Sequence, residues 1–150
     1  MSYIENNLNQ DEKLESLLKP SLKPQIATTI IILSIIIFAV VNDGKEQDLI
    51  EVLVYSVLGA VIYLGYYFVL RYFSEYGISN KRVILKIGII RRDIDEMNLN
   101  SIESVSIKQS ILGRLLNYGT IIVSGRGTTQ ILFKDLDSPV KIRKQIQGQN

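Results

Sequence analysis

VLVYSVLGAVIYLGYYFVLRYFSEYGISNKRVILKI, residues 52–87, changes character halfway along, and the place where it changes sets the architecture. Val52 to Leu70 is a run of nineteen uncharged residues ended by Arg71, with Tyr63, Tyr66, Tyr67 and Tyr72 towards the C-terminal end where interfacial aromatics belong. From Arg82 onward the period is that of a strand, with Val83, Leu85 and Ile87 set against Arg82 and Lys86. A helix long enough to span a bilayer therefore hands over to a β domain within a few residues.

Upstream, IATTIIILSIIIFAVV (Ile26 to Val41) is a second run without charge. Its sixteen residues rise about 24 Å as a helix, marginal against a hydrocarbon core of about 30 Å. NDGKEQD, residues 42–48, lies between the two runs and carries turn chemistry, so the runs predict a transmembrane helical hairpin over 26–71, with spans at about 26–41 and 50–71. That loop holds Lys45 alone, whereas Lys13, Lys19 and Lys23 precede the first span and Arg71, Lys81 and Arg82 follow the second. The lysine and arginine distribution predicts a multi-pass membrane protein with both termini cytoplasmic. A cleavable signal peptide needs a short basic start and a small-x-small site, and here 25 mixed-charge residues come first.

The polar residues within the spans are Thr28, Thr29, Ser34, Tyr55 and Ser56, all able to bond to their own helix's carbonyls, and Gly59, Ala60 and Gly65 offer a close-approach surface to the partner helix. The hairpin reads as an anchor rather than a channel or transporter. Residues 1–25 read as a cytoplasmic segment in which Leu14, Leu17 and Leu18, after Asp11 and Glu12, have the spacing of a short amphipathic helix.

The chain contains neither cysteine nor histidine, which removes disulfides, thiolate nucleophiles, imidazole bases and the usual zinc ligands together. No catalytic residues, cofactor or metal ligands are assigned, and the chain is expected not to be an enzyme. The acids Asp93, Asp95 and Glu96 fit a solvated strand edge better than an acid–base or metal cluster.

Beyond residue 72, SVSIKQ (104–109), GTIIVSG (119–125) and TTQILFKD (128–135) alternate as RVILKI does, and Gly125-Arg126-Gly127 is short enough for a hairpin. Asp137 or Ser138 then caps a terminal helix with Pro139 in its first turn, Ile142 and Ile146 on one face and Gly148 at its end. The expected fold is a membrane-anchored α+β protein: the hairpin, then a domain over 72–150 of about six to seven antiparallel strands closed by a C-terminal helix.

QSILGRLLNYGTIIVSGRG, residues 109–127, has four glycines and two arginines, yet neither a P-loop nor a dinucleotide-binding pattern, each of which opens a long helix. Ile111, Leu112, Leu115 and Leu116 make a one-turn helical connector, with Gly113 and Gly119 supplying backbone freedom at the ends of the bend. Arg114 either snorkels to solvent or clasps Glu103 or Glu96, and Tyr118 reads as a core-edge ring.

Five pieces in order, YGISNKRVI (76–84), KIGIIRR (86–92), the E-x-x-x-x-x-I-E-S-V run from Glu96 to Val105, QSILGRLLNYGTIIVSG (109–125) and SPVKIRKQI (138–146), resemble the bacterial pleckstrin-homology-like domain of small two-span membrane proteins. The resemblance covers residues 72–147 and implies a PH-like barrel or sandwich capped by the C-terminal helix, with Asn80, Lys81, Arg82, Gly113, Arg114, Tyr118 and Gly119 as its structural motif residues. It implies no ligand. Lys81, Arg82 and Lys86 also depart from the Lys-then-Arg-x-Arg arrangement with which eukaryotic PH domains hold phosphoinositides.

Residues 76–150 carry twelve Lys and Arg against six Asp and Glu, a net of +6, where the whole chain is +2. Such a domain beside an acidic leaflet is drawn to it by roughly 1 kcal/mol per basic residue near the surface. The hairpin of Lys86, Ile87, Gly88, Ile89, Ile90, Arg91 and Arg92 is the candidate membrane-surface contact, and the competing reading turns its isoleucines into the core and leaves its bases in solvent. The expected function is a non-enzymatic interaction module on the cytoplasmic face, whose partners are the lipid bilayer and a protein partner or a second copy. A membrane enzyme or transport accessory subunit is the alternative. Nucleic acid is not expected, since the arginines lack interleaved aromatics, and no small-molecule substrate is predicted.

Overall fold

The computed structural model of the chain describes residues 3–9, 11–43, 46–88, 93–127 and 129–148, and these form two compact units. One is helical, Leu22–Val69, and the other joins Met1–Ser21 to Leu70–Asn150.

The helical unit holds α2, Lys23–Asp43, and most of α3, Glu46–Phe73, while α1, a single turn at Tyr3–Asn6, belongs to the other unit. Within α3, Ile50–Phe73 is 24 residues long and apolar enough to cross a membrane by length and composition, while the apolar part of α2, Lys23–Ala39, is shorter. Most of the expected 42–48 loop is helix, since α2 runs through Asp43 and α3 begins at Glu46. Asn42 continues α2 because its Nδ2 donates to the Phe38 carbonyl at 2.7 Å; residues 44 and 45 lie outside the described ones.

The hydroxyls of Thr28, Thr29 and Ser34 donate to carbonyls of their own helix at 2.8 Å, and that of Ser56 does so at 2.9 Å, as the sequence led one to expect. The small residues do not form a tight crossing. A Cβ built on Gly59 or Gly65 would meet open space, and Gly59 and Ala60 help line an apolar cleft of about 250 Å³ with Thr29, Leu33, Ser56 and Tyr63.

The other unit is built from strands β1 (Leu14–Leu18), β2 (Glu75–Ser79), β3 (Arg82–Ile87), β4 (Asp93–Asn98), β5 (Ile102–Lys108), β6 (Tyr118–Gly125) and β7 (Gln130–Asp137). A short helix α4 (Ile111–Leu115) joins β5 to β6, and α5 (Pro139–Gln147) ends the described chain. All pairings are antiparallel, in two sheets ordered β1-β2-β3-β4 and β5-β6-β7. Tyr76, Ile78, Val83, Leu85 and Met97 of the first sheet and Val105, Ile121, Val123, Ile131 and Phe133 of the second share one hydrophobic core. Ile142 and Ile146 of α5 close it. The Tyr76 and Phe133 rings meet edge to face with centroids 5.4 Å apart, and burial, with the Asp135 charge, pushes the Tyr76 phenol up to about 12.

The N-terminal segment corrects the sequence reading twice. Leu14–Leu18 is a strand, not an amphipathic helix, and it pairs antiparallel with β2, Leu17 opposite Gly77 and Leu18 opposite Tyr76. The i, i+3, i+4 spacing of the leucines is helical, and the unpaired edge of β2, whose amides and carbonyls need partners, overrides it. The segment also belongs to the β unit rather than standing apart from it. That brings its acids in with it: by sequence the unit holds fifteen Lys and Arg against eleven Asp and Glu, a net of +4 rather than +6.

Its wider role follows from the faces of the first sheet. Tyr76 and Ile78, with Val83 and Leu85, point into the shared core, which leaves Glu75, Gly77 and Ser79 of β2 and Arg82, Ile84 and Lys86 of β3 on the opposite face. Residues 3–9 together with Glu12 cover that face. Ile4 packs over Gly77, the backbone N–H groups of Tyr3 and Ile4 donate to Glu75 Oε2 at 2.9 and 3.4 Å, and Glu12 reaches Ser79 and Arg82. Every residue of β2 is buried in consequence.

Candidate interaction surface

The Asn80-Lys81-Arg82 turn has the composition of an anion site, but its atoms are engaged inside the protein. Arg82 donates from Nε to Glu12 Oε1 and from Nη2 to Glu12 Oε2, both at 2.9 Å, and from Nη1 to Glu96 Oε2 at 2.6 Å. Nη2 also reaches the Asn7 carbonyl at 3.2 Å. Asn80 holds the segment from the other side, its Oδ1 accepting from the Lys13 N–H at 3.0 Å and its own N–H donating to the Lys13 carbonyl at 3.1 Å. Lys81 is exposed.

Glu12 has no exposed side-chain surface. Burial alone would raise its pKa, but the Ser79 hydroxyl at 2.6 Å, the Asn9 N–H and the Arg82 guanidinium outweigh burial and hold the carboxyl below its ordinary value. Burial would likewise lower the Arg82 pKa, and Glu12 and Glu96 raise it instead. The clasp that the sequence reading offered to Arg114 is therefore made by Arg82, which takes Glu96 with it.

In the candidate lipid hairpin, Lys86 is buried, its ammonium 3.7 Å from Glu75 and 5.1 Å from the centroid of the Tyr3 ring. Ile87 is exposed and Gly88 turns the chain with φ 118°. Ile89, Ile90, Arg91 and Arg92 lie outside the described residues. On β4, Asp93, Asp95 and Glu96 are exposed at the sheet edge, and among the described residues there is no group of three or more His, Cys, Asp or Glu able to hold a metal ion.

The connector between β5 and β6 is different: its framework is fixed and its side chains point out. Ser110 caps α4, its Oγ accepting from the Gly113 N–H at 3.0 Å. Gln109 Nε2 donates to the Tyr118 carbonyl at 2.9 Å and to the Gly113 carbonyl at 3.3 Å, closing the loop on itself. Tyr118 is buried at its base, and Asn117 makes the reversal with φ 57°.

The two glycines serve space rather than backbone freedom, since neither has a positive φ. A Cβ on Gly113 would stand 2.8 Å from the Tyr118 carbonyl oxygen, and one on Gly119 would stand 2.9 Å from that of Lys108.

This framework displays Ile111 and Leu115, 89% and 80% exposed, with Leu112 and Leu116 also in solvent. Arg114 projects among them, exposed, and Lys108 is exposed at the end of β5. Burying an isoleucine or leucine side chain is worth about 1.5–3 kcal/mol, so four exposed aliphatic side chains on one turn form an apolar patch that gains from being covered. Their helical spacing was legible in the sequence. Their outward direction was not, because a turn of i, i+1, i+4, i+5 aliphatics ordinarily faces a core.

The family model for the bacterial PH domain matches residues 25–150. No curated protein matches the chain, and no solved structure does.

Proposed function

Because the chain belongs to the bacterial PH domain family, we propose that it is a membrane-anchored, non-enzymatic interaction module, with α2 and α3 spanning the cytoplasmic membrane as a hairpin. The β domain and both termini then stand on the cytoplasmic side, where the domain binds a protein partner, a second copy or anionic lipid. The observation that carries this reading is the junction of α3 with β2. The apolar segment Ile50–Phe73 ends α3, and Ser74 alone separates it from the first residue of β2. A domain joined this closely to a membrane-length helix supports a place of work beside the bilayer.

The charge pattern supports the orientation, with Arg71 closing the apolar run of α3 and Lys13, Lys19 and Lys23 preceding α2. Of the proposed lipid hairpin, Ile87 remains available, while the Lys86 charge is engaged by Glu75 and Tyr3.

Reporter fusions test the reading. A fluorescent protein that folds only in the cytoplasm should light at either terminus, and alkaline phosphatase should be active only when inserted between Gly44 and Lys45. The membrane fraction should retain the chain after alkaline carbonate washing. The reverse reporter pattern, or release of the chain by carbonate, overturns the proposal.

A further inference from the structure

The turn at α4 carries the most exposed apolar side chains described in the β unit, and its chemistry suits one occupant. Among the described residues Ile111 and Leu115 are the most exposed large apolar side chains, and Leu112 and Leu116 flank them. No acid occurs from Ser104 to Lys134, a stretch that carries Lys108, Arg114, Arg126 and Lys134. All four of these bases are exposed. Acids neutralise the bases of the β2–β3 face, Glu12 and Glu96 at Arg82 and Glu75 at Lys86, whereas the acid at the base of the α4 loop, Asp137 opposite Tyr118, accepts from the Ser21 hydroxyl.

Aliphatic side chains standing clear of a backbone loop, with the exposed bases Lys108 and Arg114 beside them, match the boundary between anionic headgroups and acyl chains. The match lies in charge as well as in polarity. The same chain supplies a membrane-length helix, Ile50–Phe73, so the bilayer is always at hand. We propose that α4 is a lipid-inserting wedge: Ile111 and Leu115 enter the acyl boundary of the membrane that holds the chain, while Arg114 and Lys108 lie against anionic headgroups.

The rigidity described for this loop is part of the proposal. The Ser110 cap and the Gln109 bridge fix the wedge before it meets lipid, so little ordering is left to be done on contact. The inference rests on the membrane-anchored reading above and adds the surface by which the domain touches lipid.

The chain has no cysteine, so single labels can be placed in the full-length protein. Leu115→Cys and, separately, Ile111→Cys carry an uncharged environment-sensitive fluorophore, and Val57→Cys on α3 reports the hairpin. Each is reconstituted in phosphatidylcholine vesicles with or without phosphatidylglycerol, and quenched by nitroxide-bearing lipid or by aqueous iodide. The expected result is that the labels at 115 and 111 are quenched by shallow lipid nitroxide and shielded from iodide, more so with phosphatidylglycerol. Arg114→Glu should lower the lipid-bound equilibrium by at least roughly fivefold, the equivalent of one basic residue at an anionic surface.

Labels at 115 and 111 that stay open to iodide while the label at 57 is quenched by lipid overturn the wedge and leave the anchor standing. If the label at 57 is not quenched either, both readings fall. Labels at 115 and 111 shielded from iodide but untouched by lipid nitroxide also overturn the wedge, and assign the surface to a second copy or another protein.

Discussion

Arg82 and Glu12 meet through two parallel hydrogen bonds of 2.9 Å, joining positions 70 residues apart in the chain. The carboxylate has no solvent of its own, so its charge is tolerable only while the guanidinium and Ser79 stay in place. Arg82→Met should therefore destabilise the β unit by about 3–5 kcal/mol, the cost of leaving a buried charge without its partner. Glu12→Gln should cost less, about 1–3 kcal/mol, because Arg82 keeps Glu96. The double substitution should be far less damaging than the sum, which denaturation followed by circular dichroism in detergent will measure as a coupling energy. Additive effects would mean that the pair is not coupled.

The same pair sets an acid limit. The folded-state pKa of Glu12 lies below its ordinary 4.5, so the unfolded chain takes up the proton more readily. The stability due to the ionised form is complete above pH 4.5 and is lost as the pH falls through the folded-state value. Hydrogen exchange should show residues 3–18 losing protection first on acidification, before β6 and β7. Glu12→Gln should remove that early acid step while leaving the later ones.

Much of this fold is written in local patterns. RVILKI matches β3 residue for residue, Ile142 and Ile146 lie on the buried face of α5, and the apolar run expected at 52–70 is part of α3, which is long and apolar enough to cross a membrane. What could not be read locally is pairing across distance. Leu14, Leu17 and Leu18 have helical spacing, and only the free edge of β2 makes them a strand. The full burial of β2 has the same origin, because nothing in EYGIS announces that residues 3–9 together with Glu12 cover its second face. For the contact surface, the sequence showed four aliphatics and an arginine close together. Whether they turn inward depends on the Gln109 and Ser110 bonds that set the loop.

A fragment of residues 72–150 contains all five pieces of the family resemblance but lacks β1 and the cover of the first sheet. It should expose Glu75, Lys86 and Ile84, together with the edge of β2, and aggregate. Adding a synthetic peptide of residues 1–21 in trans should restore a folded complex, seen as dispersed amide resonances and a single species by size-exclusion chromatography. A well-folded monomer without the peptide would show that the segment decorates the sheet instead of completing it.

The glycines of the α4 loop give a final test, since its shape is set by close approach rather than by unusual dihedral angles. Gly113→Ala forces a methyl group to within 2.8 Å of the Tyr118 carbonyl oxygen, a backbone atom already bonded to Gln109. The loop must open to admit it, at a cost of about 1–3 kcal/mol. Gly119→Ala meets the Lys108 carbonyl at 2.9 Å and should behave alike. Gly65→Ala, with open space at its Cβ, should leave stability unchanged and serves as the control. Thermal unfolding orders the three, and hydrogen exchange at Gly113 locates the damage, because its N–H is the one held by the Ser110 hydroxyl. If the Gly113 and Gly119 variants match wild type in both measurements, the loop is not the rigid platform that its hydrogen bonds describe, and the display of Ile111 and Leu115 loses its structural basis.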